Sequence, residues 1–266
     1  MTALDDETEE KGLQSGVQSV ETAARVLAAF IGAPGALPLK SVAAAAGMSG
    51  GKAHRYLVSL CRAGLVEQDS ETQRYDLGGL ALRVGLAALA RLDVVRLAAP
   101  VLVDLRDRLN ETVALAVWGE SGPTVVRWEE STRPVTVNVR IGSTLPLLVS
   151  ATGRTFLTWM PEHRTAALVA REQALSGVND AAVADFRANA RATGLGTVDG
   201  ALLPGVAAVS APVFDHKGDL IAAITALGHQ GAFSVAVDGD PAQAVLDAAH
   251  GLTRRLGGKP SGRGGQ

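Results

Sequence analysis

From Thr22 to Val66 the chain carries no Asp or Glu, while Arg25, Lys40, Lys52, Arg55 and Arg62 give the segment a formal charge of +5. A basic, acid-free island suggests a surface made for a polyanion. Its apolar residues are spaced for three short helices. Val20, Ala23, Ala24, Leu27 and Ile31 recur at helical spacing behind Ser19 as N-cap, with Glu21 in the first turn where the helix dipole favours an anion. Gly32-Ala33-Pro34-Gly35 ends that helix. A second, from about Lys40 to Ala46, buries Leu39, Val42, Ala43 and Ala46, with Gly47 at the left-handed position after its end. Ser49 caps a third helix, 49–63. Ala53, Tyr56, Leu57 and Leu60 form its inner stripe; Lys52, Arg55, Ser59 and Arg62 lie opposite, and Gly64 closes it. Two short strands, 65–68 and 74–77, flank the polar turn 69–73 and read as a hairpin.

At 266 residues, two domains are the natural expectation, and an apolar fraction of 47% is ample for packed cores. The whole chain has a formal charge of −2, so any affinity for nucleic acid must be local. The single cysteine, Cys61, excludes an internal disulfide and fits a reducing cytoplasm. No apolar run approaches the ~18 residues of a membrane span. The acidic N-terminal stretch lacks the basic and apolar regions of a signal peptide.

Residues 1–16 read as a disordered lead and 257–266 as a disordered tail. Between them the pattern divides into a head, 17–78, a helical connector, 79–92, and a second domain, 93–256. The connector leads into a helix over 94–110, with Pro100 as an interruption. Strands are expected at 112–118, 123–129, 135–140, 207–214 and 220–227. Helices are expected at 150–159, 161–171, 180–193 and 239–256, the last with Asp240 as N-cap before Pro241. Strands joined by hairpins with helices to one side predict an antiparallel sheet, hence an α+β fold.

A helix the length of 49–63 fits the major groove of B-form DNA, its N-terminal residues reaching base edges while the preceding helix braces the backbone. Ser49, Gly50 and Gly51 leave backbone N–H groups free at a positive helix end. Lys52, His54 and Arg55 are best placed to reach DNA. Ser59 shares their face, and Lys40 and Ser41 open the bracing helix. Thr72, Gln73 and Arg74, at the hairpin tip, would touch flanking phosphates. Solvated basic helix faces are common, but an acid-free run followed by a hairpin favours DNA. Cys61 reads as an apolar residue of the small core.

The residues also carry a resemblance. Val17-Gln18-Ser19-Val20, Arg25-Val26-Leu27, Ala43 to Gly47, Ala53-His54-Arg55-Tyr56-Leu57, Leu60 to Gly64 and Arg74-Tyr75-Asp76-Leu77-Gly78 resemble the winged helix-turn-helix of the IclR family of bacterial transcriptional regulators. Collinear with them, Leu105 to Val113 resembles the family's first effector-domain helix and strand. Leu145-Pro146-Leu147 and Ala151-Thr152-Gly153-Arg154 resemble its pocket loop and helix start, and Pro204 to Asp215 the strand after its acidic loop. The resemblance spans about 17–256. It implies a DNA-binding head, a linker helix and a GAF-like effector-binding domain. It also implies a homodimer, often paired into a dimer of dimers, acting on an operator with two half-sites. Repression is the favoured sign.

The departures are informative. The family's usual Pro-Lys-Ser-Thr run is Ser49-Gly50-Gly51-Lys52 here, so operator sequence does not carry over. A common His is Leu148, the acidic loop becomes Val198-Asp199-Gly200-Ala201, a common Cys is Ala208, and two pocket serines are Thr225 and Leu227. A carboxylate left unpaired in an apolar site is costly. A pocket of Leu147, Leu148, Ala151, Val198, Ala208 and Leu227, with Ser150, Thr225 and Arg140 as its polar members, therefore suits a larger aromatic or apolar effector. The alternative is that these residues are core alone.

Nothing points to catalysis, a metal or a cofactor. The five histidines, His54, His163, His216, His229 and His250, are scattered without ligand spacing, and there is no phosphate-binding loop or nucleophile elbow. The rivals to a regulator are a ligand sensor acting through protein partners and a GAF-like enzyme.

Overall fold

The structure, a computed structural model, describes residues 16–31, 33–89, 93–132 and 137–260. The expected lead before residue 16, the tail beyond 260, Gly32 and the last residues of the 79–92 connector lie outside them. The chain divides into two compact units, 1–91 and 92–266.

The first unit holds α1 (Gln18–Ala28), α2 (Leu39–Ala45), α3 (Gly50–Arg62), β1 (Val66–Gln68), β2 (Tyr75–Leu77) and α4 (Gly79–Leu89). β1 and β2 pair antiparallel, and Leu37 bridges to Tyr75 as a third short strand. This is a winged helix-turn-helix. Its core joins Val26 and Phe30 of the first helical region, Val42 and Ala46, Leu57 and Leu60, and Val66 and Tyr75 of the hairpin. Gly47, at φ +65°, makes the tight turn between α2 and α3. The inner stripe of α1 differs from expectation. Val20 is 65% and Ile31 81% exposed, while Thr22, Val26 and Phe30 face inward. Two stripes on this helix have helical spacing. The one containing Thr22 prevails because its hydroxyl donates to the Gln18 carbonyl at 2.8 Å and so can be buried. Ser19 is not the N-cap; Val17 holds that position without a side-chain bond.

The second unit holds α5 (Val94–Leu109), β3 (Thr112–Gly119), β4 (Gly122–Glu129), α6 (Ala151–Trp159), α7 (Glu162–Ser176), α8 (Asp180–Thr193), β5 (Gly196–Asp199), β6 (Val206–Phe214), β7 (Leu220–His229) and α9 (Asp240–Arg255). The strands form one antiparallel sheet in the order β4-β3-β7-β6-β5. Helices cover both faces, not one. Val113 and Leu115, Val209 and Ala211, and Ile224 and Ala226 pack against α5 and α9. The alternate residues Ala114, Ala116, Ala208, Ala223 and Leu227 face α6 and its neighbours. β6 and β7 are accordingly buried on both faces, which erases the polar alternation that would have shown one wet side.

Pro100 does not interrupt α5. It lies on the exposed side of the helix. Asp240 is the first helical residue of α9, and Gly239 its N-cap. The strand expected over 135–140 is not formed at 137–140, and Val135 and Thr136 lie outside the described residues. The β4 edge is instead closed further on, where Val125 N–H donates to Ser143 O at 2.9 Å and Leu145 N–H to Pro123 O at 2.7 Å.

Candidate functional site

The recognition-helix residues expected to meet DNA are all on the surface. Ser49, Gly50, Gly51, Lys52, His54, Arg55 and Ser59 are exposed, as are Lys40 and Ser41 on α2. Ala53, Leu57 and Leu60 anchor the opposite face of α3 in the core. Ser49 sits at the N-cap with extended backbone and no side-chain cap bond. The Ser59 hydroxyl donates back to Arg55 O at 3.1 Å, so its proton stays with the helix. His54 Nδ1 lies 3.5 Å from the hydroxyl of buried Tyr75, which ties the recognition helix to the hairpin. Cys61 is half-buried and burial pushes its thiol pKa up, so it remains a neutral thiol.

The wing tip is built around Asp69. Its carboxylate accepts from Thr72 N–H at 2.6 Å, Thr72 Oγ1 at 2.8 Å and Glu71 N–H at 3.0 Å. These bonds, those from Thr72 first, hold its pKa below the usual Asp value. Gln73 takes the left-handed conformation at φ +58°, and its amide donates to Ser70 O at 2.9 Å. Thus Thr72 and Gln73 commit polar groups to the turn, while Arg74 donates to Ala36 O at 3.3 Å from an exposed position. The hairpin also presents Glu67, Glu71 and Asp76 to solvent beside Asp69. The acid-free surface therefore stops at α3, and the wing itself is anionic.

The second unit contains a cavity between the sheet and the start of α6. The cavity volume is ≈ 60 Å³. Among the described residues, Ala114, Trp128, Val137, Val139, Leu145, Ser150, Ala151, Thr152, Val198, Leu202, Leu203, Val206, Ala208, Thr225 and Leu227 line it, none of them charged. Six of the nine expected effector residues meet here: Ser150, Ala151, Val198, Ala208, Thr225 and Leu227. Leu147 and Leu148 do not; both are fully buried in a separate cluster with Phe156 and Leu157. Arg140 lines a shallower cleft beside Trp128, Glu130 and Ile141. Trp128, Thr152, and the pair Leu202 and Leu203 were not expected. Trp128 shares β4 with inward and outward residues alike, and only the tertiary fold brings the 200–205 loop over the sheet.

The polar groups lie at one end. Thr225 Oγ1 donates to Ser210 Oγ at 2.9 Å, and Thr152 Oγ1 lies 2.7 Å from Thr225 Oγ1. With the Thr225 proton directed at Ser210, Thr152 donates to Thr225 and retains lone pairs as an acceptor. Ser150 caps α6 by accepting from Gly153 N–H at 2.8 Å and donates to Pro146 O at 2.6 Å. The N–H groups of Ala151 and Thr152, in the first turn of α6, have no acceptor within that helix. Gly153 is required where it stands, because a Cβ there would collide with the Pro146 carbonyl.

The surrounding wall is pinned from outside. Glu172 on α7 accepts from Leu147 N–H at 2.8 Å and Leu148 N–H at 2.9 Å. Arg154 donates from Nε to Leu148 O at 2.9 Å and from a terminal nitrogen to Thr197 O at 2.7 Å, with its guanidinium 3.7 Å from the Phe186 ring centroid. Burial lowers its pKa from the ordinary value.

Comparison with known proteins agrees with both units. Residues 19–70 match the IclR helix-turn-helix domain, and 86–254 match the bacterial transcriptional regulator IclR C-terminal domain. The chain is 30% identical over 252 residues to the glycerol operon regulatory protein of Streptomyces coelicolor, covering 91% of this chain and 97% of that one. It is 25% identical over 219 residues to the transcriptional repressor IclR of Escherichia coli, covering 80% of each. Among solved structures, Pseudomonas aeruginosa HmgR superposes with a TM-score of 0.84 at 43% identity, over 91% of this chain and 99% of that one.

Proposed function

Because the chain belongs to the IclR family of bacterial transcriptional regulators, we propose that it is a ligand-responsive regulator whose second unit binds a metabolite with an aromatic or apolar body. Proteins of this family are regulators rather than enzymes, and they bind DNA through the helix-turn-helix. The assignment gives 17–78 to operator recognition, 79–92 to a linker and 93–256 to the effector. Repression is the sign we favour, since the Escherichia coli relative is named a transcriptional repressor. The reading places the protein in the cytoplasm; among the described residues no helix is long and apolar enough to cross a membrane.

The observation that carries the effector reading is the cavity against α6. Its walls are apolar and include one indole, and its polar groups cluster at one end. A ligand carboxylate fits the free N–H groups of Ala151 and Thr152, and a ligand hydroxyl would find its acceptor in Thr152. A homodimer is the expected assembly. In its support, α4 is apolar almost all round, with Leu82, Val84 and Leu86 each more than half exposed and Arg83 its single charge. Two heads in a dimer read half-sites about 10 bp apart or a multiple of that. Ligand acts on them only through different affinities for the arrangements the dimer can adopt.

Calorimetry with a panel of aromatic and small aliphatic acids tests the effector, alongside gel shifts on DNA upstream of the gene and its neighbours. Aromatic acids are expected to bind and to change the shift. Tight binding of pyruvate or glyoxylate with none of any aromatic acid would refute the ligand class. An Arg55→Ala protein with full regulatory activity would instead favour a sensor acting through protein partners.

A further inference from the structure

Gly50 and Gly51 are the first two helical residues of α3, and nothing within the folded head calls for glycine at either. Neither has a positive φ, and a Cβ added at either would meet no atom within 4 Å. The glycines that bracket the same helix differ: Gly47 and Gly64 sit at φ +65° and +74°. Glycine in a helix costs stability, because the unfolded chain regains more freedom there than with alanine. Two such residues in succession at the start of the recognition helix weaken it with no internal return.

Their surroundings indicate what lies outside. Both are exposed, and the groove beside Gly50 runs between Lys40 of α2 and Met48. Lys52 follows directly and Arg55 one turn on, and Ala44 and Ala45 of α2 are exposed and short. The surface is thus bare of side chains where it is ringed by cations.

We propose that duplex DNA packs directly against the α3 backbone at Gly50 and Gly51, closer than any side chain would permit. The two glycines then set how deeply the helix enters the groove, and therefore which base edges Lys52, His54 and Arg55 can reach. They are specificity-determining residues through the absence of a side chain. This rests on the reading of α3 as the DNA-facing helix.

The test is Gly50→Ala and Gly51→Ala in the full chain, with thermal unfolding and operator affinity measured on each. Gly251→Ala, at an open helical position of α9, serves as control. Each α3 variant is expected to raise the melting temperature of its unit by ~2–8 °C and to lose at least about tenfold in operator affinity. The control is expected to gain stability with unchanged affinity. Wild-type affinity in both α3 variants, or a fall in their melting temperature, would overturn the proposal. Lys52→Ala and Arg55→Ala, measured beside them, separate the two levels. If these weaken binding and the glycine variants do not, close packing fails alone; if neither set matters, the assignment of α3 fails with it.

Discussion

Removing the Arg154 side chain should destabilise the second unit more than any change at an exposed charge. The guanidinium makes two hydrogen bonds to carbonyls, at 2.9 and 2.7 Å, and stacks 3.7 Å from the Phe186 ring centroid. Among the described residues it has no carboxylate partner. Burial disfavours its charge, which offsets part of the gain. Hydrogen bonds to a charged group are worth about 1.5–3 kcal/mol each, and a desolvated cation over an aromatic face up to about 2 kcal/mol. After the desolvation penalty, Arg154→Ala should cost about 3–5 kcal/mol, because two carbonyls are left without their donor at about 1–3 kcal/mol each and the ring contact is lost. For a unit of this length each kcal/mol moves the melting temperature by ~2–4 °C, so the fall should be about 6–20 °C. Arg154→Lys should recover only part of the loss, because an ammonium cannot span both carbonyls and stack as well. Differential scanning calorimetry of the full chain reads both values. The reasoning fails if Arg154→Ala melts within ~2 °C of wild type, or if Arg154→Lys is indistinguishable from it.

Lys52→Ala and Arg55→Ala should each weaken operator binding and lower the slope of log affinity against log salt by about 1, with melting unchanged because both side chains are exposed; equal affinity and slope in the double variant would contradict this. Ala208→Leu should fill the cavity and abolish the calorimetric signal with aromatic acids while the ligand-free protein still binds operator. Retention of ligand affinity would show that the effector binds elsewhere.

The head was readable because its signals are local. Glycine at Gly47 and Gly64, the stripe Ala53, Leu57 and Leu60, and the charge pattern of α3 each act within a few residues. The face of α1 was misread because a buried threonine that bonds its own helix looks polar in a list of residues. In the second unit the helices and long strands were also legible, whereas β5 was not. Four residues with one buried valine give no periodicity, and β5 exists because it pairs with β6 and lies beneath α6. The effector cavity was half legible for the same reason. The pocket positions implied by the family resemblance pick out Ser150, Ala208 and Thr225. They cannot show that Leu147 and Leu148 are turned into another core cluster, or that Leu202 and Leu203 reach over the sheet.

The places where the chain forgoes stability divide into those with an internal cause and those without one. Gly153 and Gly47 belong to the first kind, since a side chain at Gly153 would strike Pro146 and at Gly47 would meet a strained backbone. Gly50 and Gly51 belong to the second. So do Ala114, Ala151 and Ala208, whose small side chains all border one cavity. Larger residues at those alanines would add buried apolar contact at about 25 cal/mol per Å². A fold selected for its own stability would fill both sites. That small residues stand at both, on the basic face of α3 and beneath α6, fits the proposed contacts with duplex DNA and with a small apolar molecule.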